Sequence, residues 1–259
     1  MARTLIEFGV PEFERYHEPF LGSGAAALKF AAAGRIRAAH LSDLNTRIIN
    51  LFRSVQSKPD EVIAAIRLHA LLDSDVHFAT ALRRMNGLID PKDADPALAA
   101  DLIYLLAKTF HSSWYEAMDG VISLSRRRTE RSFKPRLQSV TAASQLLVNA
   151  SIECVDFRDA WRQVQTSGLV FADPPYLAES DASDSRGYNA NRFKQADFAD
   201  LLSLVEDADA KGVCIILCWS TEKKSRLRGG RWLRIGRDAV WLSQSMVDHC
   251  GWSQRTDAS

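Results

Sequence analysis

Two short clusters in the 259-residue chain carry residue types that can do chemistry together. One is Leu169-Val170-Phe171-Ala172-Asp173-Pro174-Pro175-Tyr176-Leu177. A continuous apolar run ends there in an acid, two prolines and an aromatic ring. Prolines have no backbone N–H to donate, so the segment must leave any strand ladder at that point. A carboxylate, a rigid carbonyl and a flat ring then stand side by side. That set suits a planar amine lying on the ring, with Asp173 and the Pro174 carbonyl accepting its two N–H groups. Pro-Pro alone would more often mean an ordinary turn with a surface tyrosine. The full tetrapeptide at the end of a central strand falls where open α/β sheets bind ligands.

The other cluster is Glu18-Pro19-Phe20-Leu21-Gly22-Ser23-Gly24-Ala25, followed by Asp43. Glycines let the backbone approach a ligand at a helix N-terminus. An acid about 20 residues on, at the end of the next strand, is where nucleotide sites hold a ribose diol. Ala27 occupies the third fingerprint position, which dinucleotide sites tolerate. This turn therefore leaves NAD open, and the choice of cofactor rests on the first cluster. A tight turn with no ligand is the competing reading.

The elements that must position these clusters follow from pattern. Arg15 to Phe20 reads as a strand, Ala25 to Phe30 as a helix stopped near Gly34, and Arg37 to Leu41 as a second strand. Ile48, Ile49, Phe52 and Val55 recur at helical spacing. This β-α-β-α order opens a doubly wound sheet. Residues 57–149 read almost wholly as helix: Pro59 suits a first turn, and apolar faces run through Val62 to Leu72, Ala97 to Tyr115 and Thr141 to Val148. Strands resume at Ile152 to Val155, Gly168 to Ala172 and Gly212 to Trp219, with a helix at Asp197 to Ala210. The last two strands are continuous apolar runs, as expected where both faces are covered. Ala239 to Leu242 reads as a further strand. The sheet domain is thus expected over 1–56 and 150–259, with a helical insertion over 57–149.

Composition narrows the classes. With 46% hydrophobic residues the chain can bury a substantial core. No apolar run is long enough to span a membrane. The N-terminus has no apolar signal core, and four cysteines without a pairing pattern suit a reducing cytoplasm. Cys214 and Cys218 fall on one face of a buried strand and read as core. The six histidines show no ligand spacing, so no metal is expected. A net charge of +1 argues at first against a nucleic-acid partner. That total averages opposed regions. Residues 126–136 hold six bases against one acid, and 223–237 hold seven bases and no acid. The local field, not the sum, governs attraction to phosphate.

Taken together, the two clusters resemble the Dam-type family of DNA adenine-N6 methyltransferases. Its members carry an acid-Pro-Phe-x-Gly-x-Gly turn, an Asp-Leu-Asn-like strand end, a helical target-recognition insertion and then Asp-Pro-Pro-Tyr. All occur here in that order, over roughly residues 16 to 220. The resemblance implies an α/β fold: a Rossmann-like S-adenosylmethionine-dependent methyltransferase sheet with a helical target-recognition insertion. It implies that Phe20, Gly22, Ser23 and Gly24 line the methionine part of S-adenosylmethionine, with Glu18 and Pro19 also among the cofactor-binding residues. Asp43 would accept from the ribose hydroxyls, and Leu44 would lie under the adenine. Asp156 and Phe157 would hold the cofactor adenine, with a strand-end acid and a core ring as the plain alternative. Asp173, Pro174, Pro175 and Tyr176 would be catalytic, with Tyr176 stacking on a flipped base.

The resemblance further implies double-stranded DNA as partner. Arg126, Arg127, Arg128, Arg131, Lys134 and Arg136 would touch it, mostly at phosphates. A monomeric cytoplasmic enzyme, with a restriction endonuclease partner in the same system, completes that expectation. Three departures stand against it. Nothing before Glu18 matches the family's aromatic-x-Gly-Gly-Lys segment, so the cofactor lid is incomplete or built differently. The usual final strand motif is missing, and so is the Phe-Asn-x-Pro stretch of the insertion. Two alternatives follow: a DNA-binding relative impaired in catalysis, or an amino methyltransferase acting on cytosine N4 or another amine.

Overall fold

The structure is a computed structural model and describes residues 1–87, 93–109, 114–117, 120–124, 132–175, 193–220, 227, 229–235 and 238–252. The described residues fall into two compact units. One is formed within Met1–Leu44, Asn149–Leu177 and Phe193–Ser259, and the other within Asn45–Val148.

The first unit is a seven-stranded sheet. In chain order its elements are α1 (Ala2–Glu7), β1 (Phe13–Glu18), α2 (Ala25–Ala32) and β2 (Ile36–Asp43). Past the second unit come β5 (Ala150–Cys154), α8 (Phe157–Trp161), β6 (Gly168–Ala172) and α9 (Gln195–Ala210). The chain closes with β7 (Cys214–Ser220), β8 (Arg231–Ile235), β9 (Asp238–Leu242) and α10 (Gln244–His249). Spatial order is β5-β2-β1-β6-β7-β9-β8. The first five are parallel, and β9 runs antiparallel to both β7 and β8.

Central burial explains the apolar strands. All five residues of β6 are buried, as are Ile215, Ile216 and Leu217 on β7. One face packs Val170, Ile215, Leu217 and Trp241 against Phe157, Trp161, Leu201 and Val205. The other carries Tyr16 and Phe171, both against the Phe30 ring of α2. Cys214 and Cys218 are buried and in no disulfide, and burial pushes the Cys214 thiol up to about 11. Among the described residues no helix is long and apolar enough to cross a membrane.

The second unit holds α3 (Thr46–Ser57), α4 (Pro59–Leu72), α5 (Asp75–Asn86), α6 (Pro96–Ala107) and α7 (Leu137–Leu146). Local signals set their starts. Asn45 caps α3 by accepting from the Arg47 and Ile48 amides, and Asp95 caps α6 ahead of Pro96. A two-residue hairpin, β3 (Tyr115–Glu116) with β4 (Ile122–Ser123), also lies here.

Several elements differ from expectation. Helix α6 stops at Ala107, and Tyr115 is in a strand. Helix α7 begins at Leu137, four residues early, because Val140 supplies its buried contact. The hairpin, α1 and α10 are too short to show a period. Part of the second basic cluster is strand: Arg231 and Arg234 belong to β8, at the end of the sheet.

Candidate functional site

Four acids stand at the carboxyl ends of four neighbouring parallel strands. Asp156 follows β5, Asp43 ends β2, Glu18 ends β1 and Asp173 follows β6. The chain order reverses between β1 and β6, which is the switch point where such sheets bind ligands. Glu18 and Asp173 flank it.

Between β1 and α2 the backbone turns through Leu21–Gly24. Gly22 and Gly24 take φ of 47° and 63°, a left-handed conformation that side chains disfavour. A Cβ placed on Gly22 would meet nothing within 4 Å, so open space lies above the turn. The turn is stitched to the end of β2. Gly22 N–H donates to Asp43 Oδ2 at 2.8 Å, and Leu21 N–H to the Ser42 carbonyl at 2.9 Å. Asp43, expected to serve a ribose, thus also holds the loop. Leu44, next to it, exposes 43% of its surface, unusual for a large apolar residue.

Glu18 is buried. Its Oε2 accepts from Tyr16 Oη at 2.7 Å and from Ala27 N–H at 3.0 Å. Burial pushes its carboxyl up to about 8; the Tyr16 and Ala27 bonds pull down, while Asp173 and Asp43 add to the rise. The acid therefore carries a proton near neutrality until a positive group arrives.

Asp156 caps α8, accepting from the Arg158 N–H at 2.8 Å, and Phe157 is buried. The plain alternative for this pair is what the geometry gives: the acid is a cap and the ring is core. The ring is nonetheless at the site's edge. Phe20 lies 5.2 Å from Phe157, and Phe193 lies 5.9 Å from each. Arg158 sits 4.4 Å over the Phe157 ring and pairs with Asp156, Asp197 and Asp200. Sequence reading missed Phe193 and Arg158. The signal for Phe193 was an aromatic at the entry to α9; Arg158 had none, because two of its three partners, Asp197 and Asp200, are 39 and 42 residues away.

Asp173 is exposed, Pro174 buried and Pro175 exposed. Tyr176 lies outside the described residues, as do Arg126, Arg127, Arg128 and Arg131. Pro19 and Ser23 belong to the turn and its approach. Among the described residues no three His, Cys, Asp or Glu side chains are placed to hold a metal.

In the helical unit, Lys134 and Arg136 are exposed just before α7. Their segment is pinned at Phe133, whose N–H donates to Asp73 Oδ2 at 2.7 Å. Asp73 also accepts from Tyr104 Oη and Lys108 Nζ, each at 2.8 Å. Burial pushes the Asp73 carboxyl up, but the Lys108, Phe133 and Tyr104 bonds win and hold it low. The hairpin is tied separately. Arg47, buried, donates to Glu116 at 3.1 Å and to the Gly120 carbonyl at 2.9 Å.

Sheet order and a glycine turn beside an acid-Pro-Pro strand end together define a Rossmann-like methyltransferase fold. Residues 4–225 match the family model of the D12 class N6 adenine-specific DNA methyltransferases, and the chain belongs to that family. Curated relatives agree. The Type II methyltransferase M1.LlaDCHI of Lactococcus lactis subsp. cremoris is 26% identical, the match covering 82% of this chain and 74% of that protein. A DNA adenine methylase of Escherichia coli (strain K12) is 23% identical, with 82% and 74% covered. The Type II methyltransferase M.MjaIII of Methanocaldococcus jannaschii is 23% identical, with 79% and 73% covered. Among solved structures, an rRNA methyltransferase from Streptomyces viridochromogenes aligns over 96% of this chain and 86% of its own, with TM-score 0.42 and 14% identity.

Proposed function

We propose that the chain transfers a methyl group from S-adenosylmethionine to the N6 amine of adenine in double-stranded DNA. The observation that carries this reading is the row of Asp156, Asp43, Glu18 and Asp173 at the carboxyl ends of β5, β2, β1 and β6, with the last two flanking the switch point, within a chain of the adenine-N6 family. The residues present fit such a donor. An ammonium and a sulfonium are cationic, and the site offers carboxylates, one of them a buried acid poised to lose its proton. The open space above Gly22 accommodates a ligand against backbone.

When bound, S-adenosylmethionine supplies an electrophilic methyl on sulfur. The chain's own residues do the rest. The Glu18 carboxylate faces positive charge once deprotonated. Asp43 keeps the Gly22 turn closed on the ligand. The exposed Leu44 offers apolar surface to an adenine, with Phe157 at its edge, and Phe20 lines the methionine part. Asp173 and the Pro174 carbonyl accept the two N–H groups of the target amine. The amine's lone pair is delocalised into the ring, and two placed acceptors favour the pyramidal nitrogen that frees it. The base must leave the duplex to arrive there, and Tyr176 would stack on it. Lys134 and Arg136 serve DNA phosphates, together with Arg126, Arg127, Arg128 and Arg131. We place the enzyme in the cytoplasm as a monomer, with a restriction endonuclease as the candidate partner.

Asp173→Ala tests the assignment. Transfer of labelled methyl to DNA is expected to vanish while the circular dichroism and melting of the exposed-site variant stay unchanged. Turnover at the wild-type rate would refute it. Mapping the modified base separates adenine N6 from cytosine N4.

A further inference from the structure

A cavity lies away from the acids, over the amino-terminal half of the sheet. It holds about 500 Å³ and is lined by Arg15, His17, His40, Ser151, Arg162 and Gln163, among others. Register explains it. His17 pairs with His40, and His40 with Ser151, so the three side chains share one face across β1, β2 and β5. One step back, Arg15 stands between Ala38 and Gly168, which leave room. A Cβ on Gly168 would come within 3.3 Å of His17 Cδ2. Helix α8 has only five residues, so the connection after it, not a long helix, forms the roof.

His17 is the telling residue. It is 4% exposed, and neither ring nitrogen has a hydrogen-bond partner among the described residues. A buried donor left unmade costs about 1–3 kcal/mol, so a partner is expected in the cavity. Burial, then His40 and Arg15, push the His17 imidazole down to about 4, so the ring is neutral. A negatively charged occupant would reverse that push. The surrounding charge has the right sign. Arg15 and Arg162 stand exposed at the rim, Arg162 beside Asp159; no acid is among the described lining residues, and Glu153, outside them, lies 3.4 Å from His40. No metal-holding group is present among the described residues. The volume is that of a small-molecule site, roughly 300–1,000 Å³.

We infer that this cavity binds a small phosphate-bearing molecule, its phosphate held by Arg15 and the His17 ring. None of the residues assigned to methyl transfer lines it. Calorimetry on the full chain, with inorganic phosphate and adenosine 5′-monophosphate as probes, tests this. Both are run with the methyl-donor site saturated by S-adenosylhomocysteine. At least one probe is expected to bind, and Arg15→Ala and His17→Phe should each weaken it about tenfold or more. Imidazole NMR should show the His17 pKa rising on binding. Equal affinity for the two probes marks the phosphate alone as ligand, and tighter monophosphate binding marks a nucleotide. Arg15 is exposed, so its variant keeps the test open if His17→Phe fails to fold. Absence of binding by both probes, or binding indifferent to Arg15→Ala, overturns the inference.

Discussion

Asp43 Oδ2 accepts the N–H of Gly22 at 2.8 Å, across 21 residues of chain. One bond thereby couples the end of β2 to the glycine turn after β1. The turn's left-handed glycines leave it conformationally free without such a tie.

Asp43→Ala should therefore weaken cofactor binding twice over, by removing an acceptor and by loosening the turn. A hydrogen bond to a charged group contributes about 1.5–3 kcal/mol, so affinity for S-adenosylhomocysteine should fall about 10- to 100-fold. Calorimetry reads this directly. Unchanged affinity would mean the turn holds itself.

Glu18 gives a pH signature. Its carboxyl is raised to about 8 in the folded chain against 4.5 for an ordinary glutamate. Between those values the unfolded chain has lost the proton and the folded chain keeps it. Stability should then be full below about 4.5 and decline as pH rises through 8. Glu18→Gln should flatten that decline in urea melts at pH 6 and pH 9. A cationic donor favours the carboxylate, so its binding at pH 7 should release a proton, measurable as a buffer-dependent calorimetric heat.

Arg158 holds Asp156, Asp197 and Asp200 together over the Phe157 ring. Arg158→Ala should lower the melting temperature and weaken cofactor binding, since α8, α9 and the Phe20–Phe157–Phe193 cluster lose their common partner. Arg158→Lys should recover little, because a single ammonium cannot reproduce the forked contacts. Full rescue by lysine would show that charge alone matters.

On the DNA side, Lys134→Ala and Arg136→Ala should each weaken binding evenly across sequences and reduce the salt slope by about 1. Fluorescence anisotropy at varied salt measures this. Asp73→Ala should act differently, destabilising the helical unit by about 3–5 kcal/mol, because the buried Lys108–Asp73 pair is broken and Tyr104 and the Phe133 N–H lose the same acceptor.

Sequence carried much of this site. Strand β6 was legible to the residue because full burial makes it an unbroken apolar run that Asp173-Pro174-Pro175 cuts short. The glycines and Asp43 were legible as a nucleotide-site spacing. That they bond to each other was not, because spacing says nothing of which acceptor an amide finds. Asp156 is a cap, because a strand-end acid next to a helix start is placed to accept the first free amides. Arg158 and Asp73 stayed hidden for a common reason. Each gathers partners from distant elements, and such a hub has no local pattern. Helices α1 and α10 hid by length, at six residues each.

Strand β8 closes one end of the sheet, and no described strand pairs with its far side. Such an edge is a row of unmet backbone groups ready to take up another chain. Arg231 and Arg234 stand an odd number of residues apart, so their charges flank that edge on opposite faces. Charges placed beside an edge in this way are one of the means by which sheets resist growing onto another copy.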